Sequence, residues 1–331
     1  MPAKGGDGQM PRNEALWYVG DERVELRAVD TSALQKDHVR IAAHTSGLSR
    51  GTERLVLQGR VPTTEHLRMR CPHQDGDFPF PVKYGYAMVG VIEDGPKARI
   101  GETVFLLHPH QRHICVPIAD VHTVPQDVPP RRAALAANME TALNVTWDAG
   151  AAPGDRMLIV GGGVLGLLIA GIAARIPGTV VTVADIDATR APVAEKLGAA
   201  FALPSAAPSD QDIVIHTSGT AEGLALALLS AGMEARIVEA SWYGDKTVSV
   251  SLGEAFHSRR LQIVSSQVGA LPAHKRVRWT HARRMAAALD LLRDACFDAL
   301  ITGEIAFADA PARVPQILSD STGLMTVLRY T

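Results

Sequence analysis

The chain has 331 residues, 47% hydrophobic and 21% charged, which are the proportions of a globular protein of about two domains and not of a disordered one. Thirty-three Lys and Arg against 35 Asp and Glu leave a net charge of −2. Nothing in that balance drives binding to a phosphate backbone, so nucleic acid is not expected as a partner.

Cys71, Cys115 and Cys296 stand far apart with no CxxC pair. That excludes a disulfide scaffold and a four-cysteine zinc ribbon, and it suits a reducing, cytoplasmic setting. Met1 to Arg12 reads as a mobile tail without the apolar run of a signal peptide. From Leu16 to Val91 short strands are predicted, because VELRAV and HVRIAAHTS alternate in period two between turn residues. Pro72 to Pro81 reads as a loop, GETVFLL and HICVPI continue the β character, and Pro125, Pro129 and Pro130 mark a boundary. RRAALAANMETALNVTWDAG predicts a helix that ends at Gly150, with Pro153 just beyond.

Strand and helix then alternate. Met157–Val160 is a strand, Val164–Arg175 a helix stopped by Pro177 and Gly178, and TVVTVAD a strand. A helix ending at Leu197–Ala199 follows, then DIVIHTS, the helix AEGLALALLSAG, and the strands ARIVEAS and LQIVSSQV. This spacing predicts an α/β chain with a doubly wound parallel sheet. HARRMAAALDLLRDA predicts another helix, followed by FDALIT and a short tail. Met157 to Ala174 runs 18 residues without a charge, the minimum for a membrane span. Gly161, Gly162 and Gly163 each cost about 1 kcal/mol in a helix relative to Ala, so the stretch reads as buried strand, tight turn and buried helix, and no membrane association is expected.

Gly161, Gly163 and Gly166 form G-x-G-x-x-G between a predicted strand and a predicted helix that opens at Val164 and Leu165. Gly161 permits the tight turn, Gly163 lets the backbone approach a pyrophosphate, and Gly166 lets helix and strand pack closely. Unpaired N–H groups at the helix start favour phosphate charge. Asp185 ends the next strand, where a carboxylate accepts from ribose hydroxyls and repels a 2′-phosphate. NAD is therefore expected in preference to NADP, with Arg190 in the following helix as the counter-signal.

The chain resembles the medium-chain dehydrogenase/reductase superfamily, the alcohol dehydrogenase and quinone reductase group, over nearly its whole length. HTSGLSRGTE at 44–53 resembles the loop of the first catalytic zinc ligand, VKYGYAMVGVI at 82–92 the G-H-E-x-x-G-x-V segment, and GETVFLL at 101–107 the G-D-x-V strand. METALNVTWDAGAAPGDRMLIVGGGVLG at 139–166 and VADIDATRAPVAEKLGA at 183–199 resemble the cofactor half. The resemblance implies a GroES-like β domain over 13–137, an inserted Rossmann domain over 138–269, and a C-terminal return to the first domain over 270–331. It places the active site between the domains. SGLSRGTE is also similar to the bacteriochlorophyllide hydroxyethyl dehydrogenases in that one loop.

The departures from the family pattern are chemical. Ser49 stands where zinc-dependent members carry Cys, Tyr86 where they carry His, and Ala136 or Ala137 at the third ligand position; the four-cysteine structural zinc lobe is missing. No zinc is expected. The resemblance makes Tyr86 the first candidate to donate to a carbonyl, with a packed strand aromatic as the alternative, and Ser49 a proton relay or a capping hydroxyl. Thr141 resembles the Thr that lies against the nicotinamide, and Glu140 reads as a helix ion pair, with a general base as the alternative. Ser266, Gln267 and Val268 correspond to the segment whose backbone meets the nicotinamide amide. Ser241 ends the preceding strand, and Thr217 follows DIVIH.

His108, His110 and His113 offer three imidazoles in six residues, but alternation aligns only the first two. His110 is expected as an acid/base group in the cleft rather than as a metal ligand. These readings predict a zinc-independent, NAD-dependent oxidoreductase acting on a carbonyl or secondary alcohol. The alternatives are a quinone or enoyl (C=C) reductase and a non-catalytic NAD-binding sensor. A small-molecule substrate and a homodimer, with late strands around Val250 and Val264 as a contact, complete the expectation.

Overall fold

The computed structural model describes residues 13–30 and 33–330. The tail expected over Met1 to Arg12 lies outside the described residues. The amino-terminal part is β-rich. A hairpin of β1 (Glu14–Gly20) and β2 (Arg23–Ala28) joins the two-residue strands β4 (Asp75–Gly76) and β5 (Val82–Lys83) in a sheet ordered β2-β1-β5-β4. The second sheet is built on the long β3 (His38–Leu48), with β6 (Met88–Asp94), β7 (Thr103–Leu106), β8 (His113–Pro117) and β9 (His122–Thr123). Leu16, Tyr18, Ile41, Met88 and Leu106 meet in the fully buried core of this part.

Helix α1 (Arg50–Leu57) follows β3 directly. The sequence reading had only a loop there; eight residues are too few for a 3.6-residue period to stand out, and Val56 and Leu57 are buried by the sheet. After α2 (Pro130–Ala133), α3 (Ala136–Ala149) ends at Gly150, whose φ of 71° is the left-handed cap that glycine supplies.

The next sheet is wholly parallel, ordered β12-β11-β10-β13-β14-β15. Its strands are β10 (Arg156–Val160), β11 (Val180–Ala184), β12 (Ala200–Ala202), β13 (Gln211–His216), β14 (Ala231–Glu239) and β15 (Gln262–Ser265), and its crossover helices are α4 (Val164–Ala173), α5 (Ala191–Lys196) and α6 (Ala221–Ser230). Met157 and Ile159 feed one buried face while Leu158 and Val160 feed the other, which accounts for the unbroken apolar run of β10. Among the described residues no helix is long and apolar enough to cross a membrane.

Helix α7 (His281–Leu291) packs on α3. The stretch read as FDALIT and a short tail is instead β16 (Ile301–Ala306), α8 (Ala310–Ser319) and β17 (Met325–Arg329). β17 lies between β16 and β3, so the end of the chain completes the sheet of β3. Pro311 and Pro315 hid α8, because an interior proline normally argues against a helix. Val250 lies in no strand, which corrects one of the two expected late strands; Val264 lies in β15, at the edge of its sheet.

Candidate active site

In a parallel sheet of this order, the side on which successive strands are added switches between β10 and β13, and ligands bind outside the carboxyl ends of the strands at such a point. The glycine turn sits there. Gly161 has φ +112°, and a Cβ on it would lie 2.8 Å from the Ser218 nitrogen. A Cβ on Gly166 would lie 1.9 Å from the Gly161 carbonyl oxygen, so turn and helix pack at a distance only glycine allows. A Cβ on Gly163 would meet nothing within 4 Å. The turn is thus closed behind and open in front, where α4 starts at Val164 and Leu165 with the orphan N–H groups of a helix N-terminus. This arrangement could hold a diphosphate.

Asp185, just beyond β11, accepts the Gly162 N–H at 2.6 Å through one carboxylate oxygen and the Asp187 N–H at 2.8 Å through the other. Each oxygen keeps a further lone pair for a ligand hydroxyl. Thr217 braces the back of the turn, its hydroxyl donating to the Gly161 carbonyl at 2.9 Å. Arg190 departs from expectation. Its buried guanidinium donates to the carbonyls of Ser321 and Thr322 and lies 3.3 Å from Asp187, so it is spent on the carboxyl-terminal segment rather than offered to a phosphate.

A dinucleotide with its diphosphate on β10 and one ribose toward β11 would carry its other half across β13, β14 and β15. At that end Ser241 accepts the Gly219 N–H at 3.1 Å, and Ser266 donates to Asp148 at 2.6 Å. The exposed Gln267 accepts the Gly269 N–H in a local turn. Two further groups bear on that end. His216, fully buried at the end of β13, lies 2.8 Å from Glu239 through Nδ1 and 2.6 Å from Ser218 Oγ through Nε2. Tyr243 donates to the same Glu239 at 3.0 Å. Burial raises the Glu239 carboxyl, but the His216 imidazole and the Ser241 amide outweigh it and hold it below the usual carboxylate range. The signal was faint: a His and a Glu closing neighbouring strands.

Arg284 is the second. Only 2% exposed on α7, it donates to Glu140 at 3.0 Å and Asn144 at 2.5 Å on α3, and to the Val268 carbonyl at 2.6 Å. It ties the segment after β15 to the helix that bears Thr141. Thr141 itself donates to the Ala137 carbonyl at 3.0 Å.

Ser49 and Tyr86, 37 residues apart, meet through a hydrogen bond from the Tyr86 phenol to Ser49 Oγ. Tyr86 packs against both the β-domain core and the core shared with α3 and the parallel sheet, which puts it at the seam of the two parts. Dehydration pushes its phenol up to about 12, against the pull of hydrogen bonds with Ser49 and Thr52. Ser49 precedes α1, and its N–H donates to Glu53 at 2.7 Å.

His110 is not a cleft residue. It is fully buried, 2.7 Å from Ser46 through Nδ1 and 3.0 Å from Glu53 through Nε2, and Glu53 also accepts from Tyr18 at 2.6 Å. Ser46 lies 2.9 Å from the Tyr330 hydroxyl. This buried chain holds the loop that presents Ser49, and His110 acts in it as a structural link. His108, also buried, and the half-buried His113 bond elsewhere, so the three imidazoles do not converge.

Ser49, Tyr86 and Ala137 offer two hydroxyls already bonded to each other and a methyl group, a poor set for zinc, which takes nitrogen, sulfur or carboxylate ligands. Among the described residues no group of three or more His, Cys, Asp or Glu side chains is placed to hold a metal ion.

No protein-family model matches the chain. Solved structures do. An alcohol dehydrogenase from Escherichia coli complexed with NADH superposes with a TM-score of 0.78 at 17% identity, over 96% of this chain and 99% of that one. A protein from Sinorhizobium meliloti described as a zinc-binding dehydrogenase and bound to NADP gives 0.76 at 19% identity, over 97% and 100%. The 2R,3R-butanediol dehydrogenase of Bacillus subtilis gives 0.76 at 15%, over 96% and 100%. From end to end of its described residues, the chain has the fold of these dehydrogenases: a GroES-like β domain joined to a Rossmann sheet.

Proposed function

We propose that the chain is an NAD-dependent, zinc-independent oxidoreductase that moves a hydride between nicotinamide and a carbonyl or secondary-alcohol carbon. The observation that carries this reading is the glycine turn, open at Gly163 and flanked by Asp185. The backbone N–H groups at the start of α4 would hold the diphosphate, and the free lone pairs of Asp185 the adenosine ribose. Arg190 is engaged with the Ser321 and Thr322 carbonyls and with Asp187, which supports NAD over NADP. The bound nicotinamide supplies hydride chemistry. The chain's own part is to position the substrate oxygen and give it a proton donor. Tyr86 serves as that donor: its phenol, at about 12, stays protonated throughout the physiological range, and a bound substrate oxygen would replace Ser49 Oγ as the acceptor of its proton.

The test is an NADH-consumption screen over ketones, aldehydes, quinones and enones, with Tyr86→Phe beside the parent. Turnover on ketones or aldehydes that falls at least tenfold in Tyr86→Phe, with NADH affinity intact, supports the reading. Turnover on enones alone moves the reaction to C=C reduction. NADH binding without any turnover leaves a sensor. Tighter binding of NADPH than of NADH would refute the role given to Asp185.

A further inference from the structure

The β domain contains a cavity of about 260 Å³ whose walls include Lys83, His108, Gln111, His73 and Arg40. None of Ser49, Tyr86, Thr141 or the parallel-sheet residues lines it. Two of its charged or titratable side chains are almost completely buried: Lys83 and His108, each 4% exposed. Buried groups of this kind are rare unless their hydrogen-bonding capacity is used.

His108 lies with Nδ1 2.8 Å from the Pro109 carbonyl. A carbonyl only accepts, so Nδ1 carries the proton and Nε2 keeps a lone pair. Burial holds this imidazole down at about 3, so that tautomer persists at any physiological pH. The His73 ring stacks on it at 5.2 Å and is itself held 3.1 Å from Asp120, so the orientation is fixed. Among the described residues Nε2 has no hydrogen-bond partner, and His108 belongs to a wall of the cavity. The Lys83 ammonium, with three protons, contacts Asp75 at 2.5 Å and Gln111 at 3.1 Å, which leaves one donor.

We propose that this cavity is a second binding site, for a small neutral polyhydroxylated molecule. A hydroxyl group answers both unused positions, because its oxygen accepts from Lys83 while its hydrogen goes to His108 Nε2. A carboxylate, which only accepts, could satisfy only Lys83. The charges on the walls also balance, Arg40 and Lys83 against Asp30 and Asp75, so the cavity has no excess to attract an ion. Its volume lies just under the range for drug-sized ligands and suits a polyol of four to six carbons.

Saturation-transfer NMR with xylitol, on the full chain with and without NADH, tests this site. Transfer to xylitol is expected in the parent protein, equal in both conditions, retained in Tyr86→Phe, and reduced at least fivefold in His108→Phe and in Lys83→Met. The two variants remove the acceptor and the donor separately, so either one that folds by circular dichroism suffices. Absence of transfer in the parent would overturn the proposal. So would transfer that survives both cavity variants or that disappears in Tyr86→Phe. The outcome does not depend on the reaction assigned to the crevice.

Discussion

The crevice at the glycine turn and the seam at Ser49 and Tyr86 are built on opposite plans. The turn is backbone: Gly161, Gly163 and Gly166 lie within six residues, and one nearby carboxylate, Asp185, locks Gly162 in place. The seam is made of side chains brought from far apart. Tyr18, Glu53, His110, Ser46 and Tyr330 come from five segments, and Ser46 and Tyr330 are separated by 284 positions. A site of backbone geometry depends on a few local residues, whereas a site of buried side chains depends on the whole domain being folded.

That contrast can be broken most forcefully at Arg284, where a side-chain network underpins the crevice. Arg284→Met leaves Glu140 buried without its ion-pair partner, and an uncompensated buried charge costs about 3–5 kcal/mol, to be read from denaturant unfolding. An unchanged midpoint would mean the network contributes nothing. Gly163→Ala is the complement. Its Cβ meets no protein atom, so stability should stay within about 0.5 kcal/mol, while NADH affinity falls roughly 100-fold, or about 2.8 kcal/mol, because the methyl takes diphosphate space. Unaltered affinity by calorimetry would remove the diphosphate from the turn.

Tyr18→Phe sharpens the other side. It deletes a buried hydrogen bond to the Glu53 carboxylate, so a loss of about 1.5–3 kcal/mol in stability with unchanged NADH affinity is expected. The last effect is absent at neutral pH and appears only in acid. His108 is held at about 3 in the folded chain against an ordinary 6.5, so the fold favours its neutral form. That contribution is complete above pH 6.5 and is lost as pH falls from 6.5 toward 3, by at most about 1.4 kcal/mol per unit. His108→Phe should flatten that part of the acid limb of the stability curve; an identical limb would argue against a buried neutral imidazole.

Much of the parallel half was legible because its signals are short. Strand, glycine turn, helix and acidic strand end fall between Arg156 and Asp185, and each obeys a rule of local backbone geometry. The β half was only partly legible. The period-two strands could be read, but α1 was too short for its pattern to show, and the prolines of α8 disguised a helix that the surrounding sheet stabilises.

Sequence alone determined the chemistry available: a G-x-G-x-x-G turn followed by Asp185, and Ser49, Tyr86 and Ala137 in place of metal ligands. Tertiary structure decided which of those groups are free. It committed Arg190 to the carbonyls of Ser321 and Thr322, buried His110 against Glu53, and put His108 on the wall of a cavity. The physical reason is that a hydrogen bond is set by distance in space, and across separations of 57 to 132 residues no local periodicity records which atoms will meet.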